Sequence, residues 1–80
     1  MIGSLIIIDD DTPFRERLSR SMEKKGFKVE SYGKAKEAKI RLIDKEFDYA
    51  IVDMRLEDGS GLEIIKSIKS SCPNTRSLLL

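Results

Sequence analysis

The chain reads as an α/β domain built on a parallel sheet with helices on both faces. Three observations predict this. The short apolar runs Leu5–Ile8 and Tyr49–Val52 are bounded by polar residues, the pattern of strands covered on both sides. Segments with helical spacing alternate with the strand-like runs. Both runs end in acid: Asp9, Asp10 and Asp11 follow the first, and Asp53 follows the second.

The elements follow in order. Leu5–Ile8 is the first strand. Asp11-Thr12-Pro13 signals a helix start, with an Asp or Thr cap and proline in the first turn. Phe14, Leu18 and Met22 recur every four residues and give that helix one apolar stripe. Gly26, after Lys24 and Lys25, is its stop. Lys28–Tyr32 is a second strand, polar enough for a sheet edge. Ala35, Ala38, Leu42 and Ile43 mark a helix over roughly Lys34–Lys45, and Tyr49–Val52 is the third strand. Glu57-Asp58-Gly59 reads as a turn. Ser60 through Glu63 has the spacing of a capping box, with Ser60 as cap and Glu63 reaching back. Leu62, Ile65 and Ile68 carry a third helix to about Ser70. Cys72-Pro73-Asn74 is a loop, and Ser77–Leu80 begins a fourth strand.

Composition narrows the function classes. Eighty residues form one small domain, 1–80. The 15 Lys and Arg against 14 Asp and Glu leave a net charge of +1, with no global attraction to nucleic acid or an anionic membrane. The absence of histidine excludes imidazole-based metal sites and histidine acid–base catalysis. The single cysteine, Cys72, cannot form an internal disulfide, which fits a reducing cytoplasm. Leu5–Ile8 is too short for a membrane span and runs straight into acids, unlike a signal peptide.

The chemistry lies in the aspartates. If the first and third strands are parallel neighbours, their carboxyl ends share one sheet edge and three or four carboxylates converge. Such an all-oxygen cluster suits a hard divalent cation, and Mg²⁺ is the usual choice where phosphate chemistry follows. Asp11 is assigned only the helix cap. Cys72 is read as a loop thiol, and Lys34, Lys36 and Lys39 as a solvated helix face. Leu78-Leu79-Leu80 is read as a core strand.

From Leu5 to Leu80 the chain resembles a response-regulator receiver domain of two-component signalling. The acidic pair Asp9-Asp10 ends the first strand, Asp53 ends the third, and Gly61 lies eight residues after Asp53. The wording from Asp53 through Leu62 is especially similar to the redox and photosynthesis regulators of proteobacteria. The resemblance implies a flavodoxin-like parallel sheet of order 2-1-3-4, with the first helix on one face and the second and third on the other. It implies that Asp53 is the phosphoryl acceptor, attacking the phosphohistidine of a sensor histidine kinase. Asp10 and Asp53 would ligate Mg²⁺, Asp9 would hold the ion's water, and the backbone carbonyl of Arg55 would supply another oxygen. An output domain outside these residues would regulate transcription.

Two departures from the family pattern stand out. Glu57 occupies a position where receivers commonly carry proline. The chain also stops inside the fourth strand, so this reading expects a receiver lacking its fifth strand and last helices. The hydroxyl residue, lysine and switch aromatic that receivers place there are then lacking too. An uncovered first helix and an unpaired fourth strand invite association, so the reading expects a homo-oligomer through either surface. It expects no direct nucleic-acid binding by this segment and no membrane contact. Two other functions compete with a phosphate-accepting signalling domain that is not an enzyme. One is a non-phosphorylated pseudo-receiver serving as an interaction or dimerisation module. The other is a phosphatase with an Asp nucleophile, which Arg55 argues against, since that class places a second aspartate two residues after the first.

Overall fold

The computed structural model describes all 80 residues. Four parallel strands form the sheet: β1 (Gly3–Ile8), β2 (Phe27–Tyr32), β3 (Tyr49–Val52) and, last in the chain, β6 (Arg76–Leu79). Three helices connect them: α1 (Thr12–Lys24), α2 (Ala35–Asp44) and α3 (Gly61–Ser71). A two-stranded antiparallel hairpin, β4 (Arg55–Leu56) with β5 (Gly59–Ser60), precedes α3. The order β2-β1-β3-β6 is the expected 2-1-3-4, and β2 does lie at an edge.

β1 is central because it can be. Paired on both sides and covered on both faces, it tolerates no polar side chain in its second half, and Leu5, Ile6, Ile7 and Ile8 are each at most 1% exposed. Alternation splits these residues between the faces. Ile6 and Ile8 join Ala50 and Val52 beneath α2 and α3, with Ala35, Ala38, Phe47, Leu56, Ile64, Ile65, Ile68 and Cys72 completing that core. On the other face Leu5 borders a mainly apolar cavity shared with Met22, Phe27, Tyr49, Ile51 and Leu78. The α1 stripe is only half-buried there, and no residue of α1 is fully buried.

The helix signals act as their chemistry dictates. Asp11 caps α1 by accepting from the Phe14 N–H at 3.1 Å, and Pro13 sits in the first turn. Gly26 follows the end of α1 at φ +107°, a conformation that a Cβ disfavours. Ser60 caps α3 through the Glu63 N–H at 3.4 Å, but the Glu63 side chain makes no return hydrogen bond, so only half of the expected capping box forms.

Several details depart from the sequence reading. β1 and β2 start earlier, at Gly3 and Phe27, and the Phe27 and Tyr49 rings meet edge to face at 5.4 Å. Ile43 is 83% exposed and Leu62 45% exposed. Each stands one or more positions off the buried stripe, which runs through Ala35 and Ala38 in α2 and through Gly61, Ile64, Ile65 and Ile68 in α3. Cys72 is no loop thiol: it caps the end of α3 and is buried in the core. The expected turn at Glu57–Gly59 is present, and it joins two short antiparallel strands that the sequence reading did not expect.

At the amino edge of the sheet polar groups lock the strands together. Asp48 accepts from the Ser4 N–H at 2.9 Å, and Ser4 Oγ accepts from the Asp48 N–H at 3.0 Å. Thr75 donates to the Phe47 carbonyl at 2.5 Å.

Between β2 and α2, Glu30 receives the Arg41 guanidinium at 2.7 and 3.0 Å and the Tyr32 hydroxyl at 2.8 Å. The Arg41 hydrogen bonds, more than the Tyr32 hydroxyl, hold the Glu30 carboxyl down at about 2 against the opposing effect of burial. A depressed carboxylate contributes stability above its unfolded pKa and loses it as pH falls through the folded one. The pair is partly solvated, so Glu30→Gln is expected to cost about 1 kcal/mol near neutrality. That difference should shrink between about pH 4.5 and pH 2. Urea denaturation of both proteins across this range measures it; a pH-independent difference would contradict the assignment.

Candidate functional site

The parallel register builds the site. Ile8 of β1 lies opposite Val52 of β3, so the residues that follow, Asp9 and Asp53, leave the sheet side by side. The Asp53 N–H still donates to the Ile8 carbonyl at 2.9 Å, and the Asp9 N–H to the Tyr32 carbonyl at 3.1 Å. Backbone pairing thus extends into the acidic positions and fixes their direction. Asp10, one residue beyond Asp9, turns over the edge. Carboxylate oxygens of Asp9, Asp10 and Asp53 all lie within 4.8 Å of one another. These are the three carboxylates that the sequence reading expected to converge; Asp11 instead faces α1 as its cap.

The cluster is poorly compensated. Asp9 is 5% exposed, while Asp10 and Asp53 are half-buried. Burial is the main influence raising the Asp9 carboxyl above its ordinary pKa, and the charges of Asp53, Asp10 and Asp11 add to it; the Asp11 N–H, donating to Asp9 Oδ1 at 2.9 Å, works against the rise. Both salt bridges of the molecule lie at Glu30, and neither reaches the cluster. The nearest guanidinium contact, from Arg15 Nη1, goes to the Asp9 backbone carbonyl at 2.8 Å rather than to its carboxylate. Three hard oxygen donors with uncompensated charge match what a small divalent cation requires. Arg55 opens β4 two residues after Asp53, with its side chain exposed.

The hairpin frames the far side. Gly61, the first residue of α3, donates its N–H to the Met54 carbonyl at 2.9 Å. A Cβ at Gly61 would overlap the Asp53 carbonyl oxygen and crowd Val52 at 3.0 Å. Glycine is therefore required by the close approach of two backbones beside Asp53, not by its φ.

The family model for the response regulator receiver domain matches residues 5–80. The chain belongs to this family. The receiver is 40% identical over 77 residues to the photosynthetic apparatus regulatory protein RegA of Cereibacter sphaeroides, covering 96% of this chain and 42% of that protein. It thus spans about two fifths of the length of that relative. Among solved structures, a response regulator from Burkholderia pseudomallei with a phosphorylated aspartic acid, calcium ion and citrate is 29% identical, with a TM-score of 0.88 over 95% of this chain and 45% of that one. A receiver domain protein from Methanospirillum hungatei shares the fold at a TM-score of 0.93 and 24% identity, over 99% and 63% of the two chains. No helix of the receiver is long and apolar enough to cross a membrane.

Two features of the receiver's site escape a sequence reading. Asp10 Oδ2 accepts a hydrogen bond from the Glu57 N–H at 3.0 Å, which joins the acidic pair to the hairpin. Asp58 accepts from the Ala35 and Lys36 N–H groups at 2.7 and 3.1 Å, and these two bonds, in that order of weight, hold its carboxyl below the ordinary range. The one available signal for Asp58 is negative: Lys34, at the head of α2, offers no oxygen to cap it, which leaves those N–H groups open to another partner.

Proposed function

We infer that the receiver accepts a phosphoryl group from a sensor histidine kinase on Asp53, with Mg²⁺ held by Asp10, Asp53 and the Arg55 carbonyl and with Asp9 holding the ion's water. One observation carries this reading: three carboxylates that follow two adjacent parallel strands, within 4.8 Å of one another and with no Lys or Arg side chain in a salt bridge to them. Mg²⁺ would supply neutralisation of the negative oxygens gathered around the transferring phosphorus. The chain's own part is positional. Asp53 is directed by backbone pairing to β1, so one carboxylate oxygen can approach phosphorus in line with the departing nitrogen. The O–P bond forms as the P–N bond breaks, and the imidazole leaves with the electron pair. A carboxylate needs placement more than activation for this step, which fits a site without a general base.

The similar proteins support a regulatory output. RegA is a photosynthetic apparatus regulatory protein, and the Burkholderia regulator holds a phosphorylated aspartate and a divalent ion. On this reading the receiver is a phosphate-accepting signalling domain rather than a turnover enzyme, and transcription is the controlled process.

The test is intact-protein mass after exposure to acetyl phosphate, with and without Mg²⁺, on the native chain and on Asp53→Asn. A Mg²⁺-dependent phosphate adduct that is absent from Asp53→Asn is the expected result. No adduct on a folded native chain would overturn phosphoacceptance and leave the pseudo-receiver function.

A further inference from the structure

The β4–β5 hairpin touches two things at once. On one side its Glu57 N–H holds Asp10 Oδ2 at 3.0 Å. On the other, the next residue, Asp58, holds the first two N–H groups of α2 at 2.7 and 3.1 Å. Gly59 completes the docking: a Cβ there would stand 3.1 Å from the Ala35 Cβ, so the hairpin lies close against the start of α2. Leu56, 8% exposed, anchors the hairpin from below. Leu56 sets its depth in the core. Asp58 is the polar contact that fixes it sideways against α2.

We propose that Asp58 is a positioning residue for the metal site, acting through the hairpin to place the Glu57 N–H against Asp10 and so to orient the Asp10 carboxylate. This rests on the reading of Asp9, Asp10 and Asp53 as the Mg²⁺ site. The physical reason is that a carboxylate with one oxygen fixed by an N–H presents the other in a set direction. Losing the lateral tether lets the hairpin drift, weakens the Asp10 bond and returns rotational freedom to that side chain. Asp58 also ends the orphan N–H groups of α2, so a loss of stability alone would not reveal the positioning role. The two roles separate because a cap can be supplied locally. Lys34 already has the extended conformation of an N-cap, φ −128° and ψ 141°, so serine there can cap α2 without touching the hairpin.

The experiment compares the native chain, Asp58→Ala, and Asp58→Ala combined with Lys34→Ser. MgCl₂ is titrated into each ¹⁵N-labelled protein, and the thermal midpoint and the hydrogen exchange of the Glu57 amide are measured alongside. Asp58→Ala is expected to weaken Mg²⁺ binding about threefold to tenfold, somewhat less than direct partners of metal ligands do. The double variant should recover the thermal midpoint but neither the Mg²⁺ affinity nor the Glu57 protection. Recovery of affinity together with stability would overturn the proposal and leave Asp58 as a cap alone. So would an Asp58→Ala protein that binds Mg²⁺ within twofold of native. If the native chain binds no Mg²⁺, the metal-site reading fails separately. The hairpin's role is then decided by the Glu57 amide: faster exchange in the double variant upholds it, and unchanged exchange removes it.

Discussion

Gly61→Ala is expected to lower the thermal midpoint of the receiver by about 12 °C or more, corresponding to about 3 kcal/mol in a domain of this size. Alanine ordinarily favours the first turn of a helix over glycine, so propensity alone predicts the opposite sign. Sterics decide the outcome. The added methyl would overlap the Asp53 carbonyl oxygen and lie 3.0 Å from Val52 Cγ1; Val52 ends β3, which is fixed by pairing to β1 and β6, and the Asp53 N–H is tied to the Ile8 carbonyl. Neither can retreat cheaply. The start of α3 must move instead, and the Gly61 N–H to Met54 carbonyl bond breaks with it. Because the displaced helix start and the broken Gly61–Met54 bond lie beside Asp53, phosphate incorporation from acetyl phosphate should fall as well, even at temperatures where the variant remains folded. Calorimetry and intact mass on one preparation measure both. A variant within 3 °C of native would show that the loop yields more easily than this geometry allows.

Asp9→Asn should move stability and metal affinity in opposite directions. The substitution keeps an oxygen to accept from the Asp11 N–H and removes one of three crowded, uncompensated charges. In the absence of metal the thermal midpoint is expected to rise by about 4 °C, the equivalent of about 1 kcal/mol. Mg²⁺ affinity is expected to fall about tenfold to a hundredfold, as for loss of an outer partner of a bound ion. The pH dependence has a definite sign. Burial chiefly, with the neighbouring carboxylates, raises the Asp9 carboxyl from 3.8, so its ionised form burdens the folded state at neutral pH. That burden is relieved as pH falls through the raised folded-state value, opposite to the behaviour of Glu30. In metal-free buffer the advantage of Asp9→Asn over native should therefore narrow as the solution is acidified. Scanning calorimetry with EDTA and with MgCl₂ gives both comparisons. A lower midpoint for the variant in EDTA would mean that the Asp9 charge supports the fold rather than straining it.

Much of this arrangement was legible in the residues themselves. A run such as Leu5-Ile6-Ile7-Ile8 has only one comfortable place, the middle of a sheet covered on both faces, and its acidic terminus can only lie at the edge. The strand order comes from the family resemblance, and with the first and third strands as parallel neighbours the meeting of Asp9, Asp10 and Asp53 follows. What escaped is of two kinds. The phase of a helix is blurred when large apolar residues flank the true stripe, so Ile43 and Leu62 looked internal although the small residues Ala38 and Gly61 are what allow close packing. Contacts across long loops leave no periodic trace. Asp58 is 23 residues from Ala35, and Glu57 is 47 from Asp10, and neither pairing belongs to a repeating pattern. The hairpin strands, two residues each, are too short to alternate visibly.

The distance along the chain between the two halves of the acidic cluster has a consequence for synthesis. A ribosome produces Asp9 and Asp10 early and Asp53 much later, and the pairing that brings them together needs both crossovers in place. A fragment that ends before β3 cannot bring the three carboxylates together. The three carboxylates meet only when the central strand has acquired its later neighbour, so the cluster reports on the β1–β3 pairing rather than on local order.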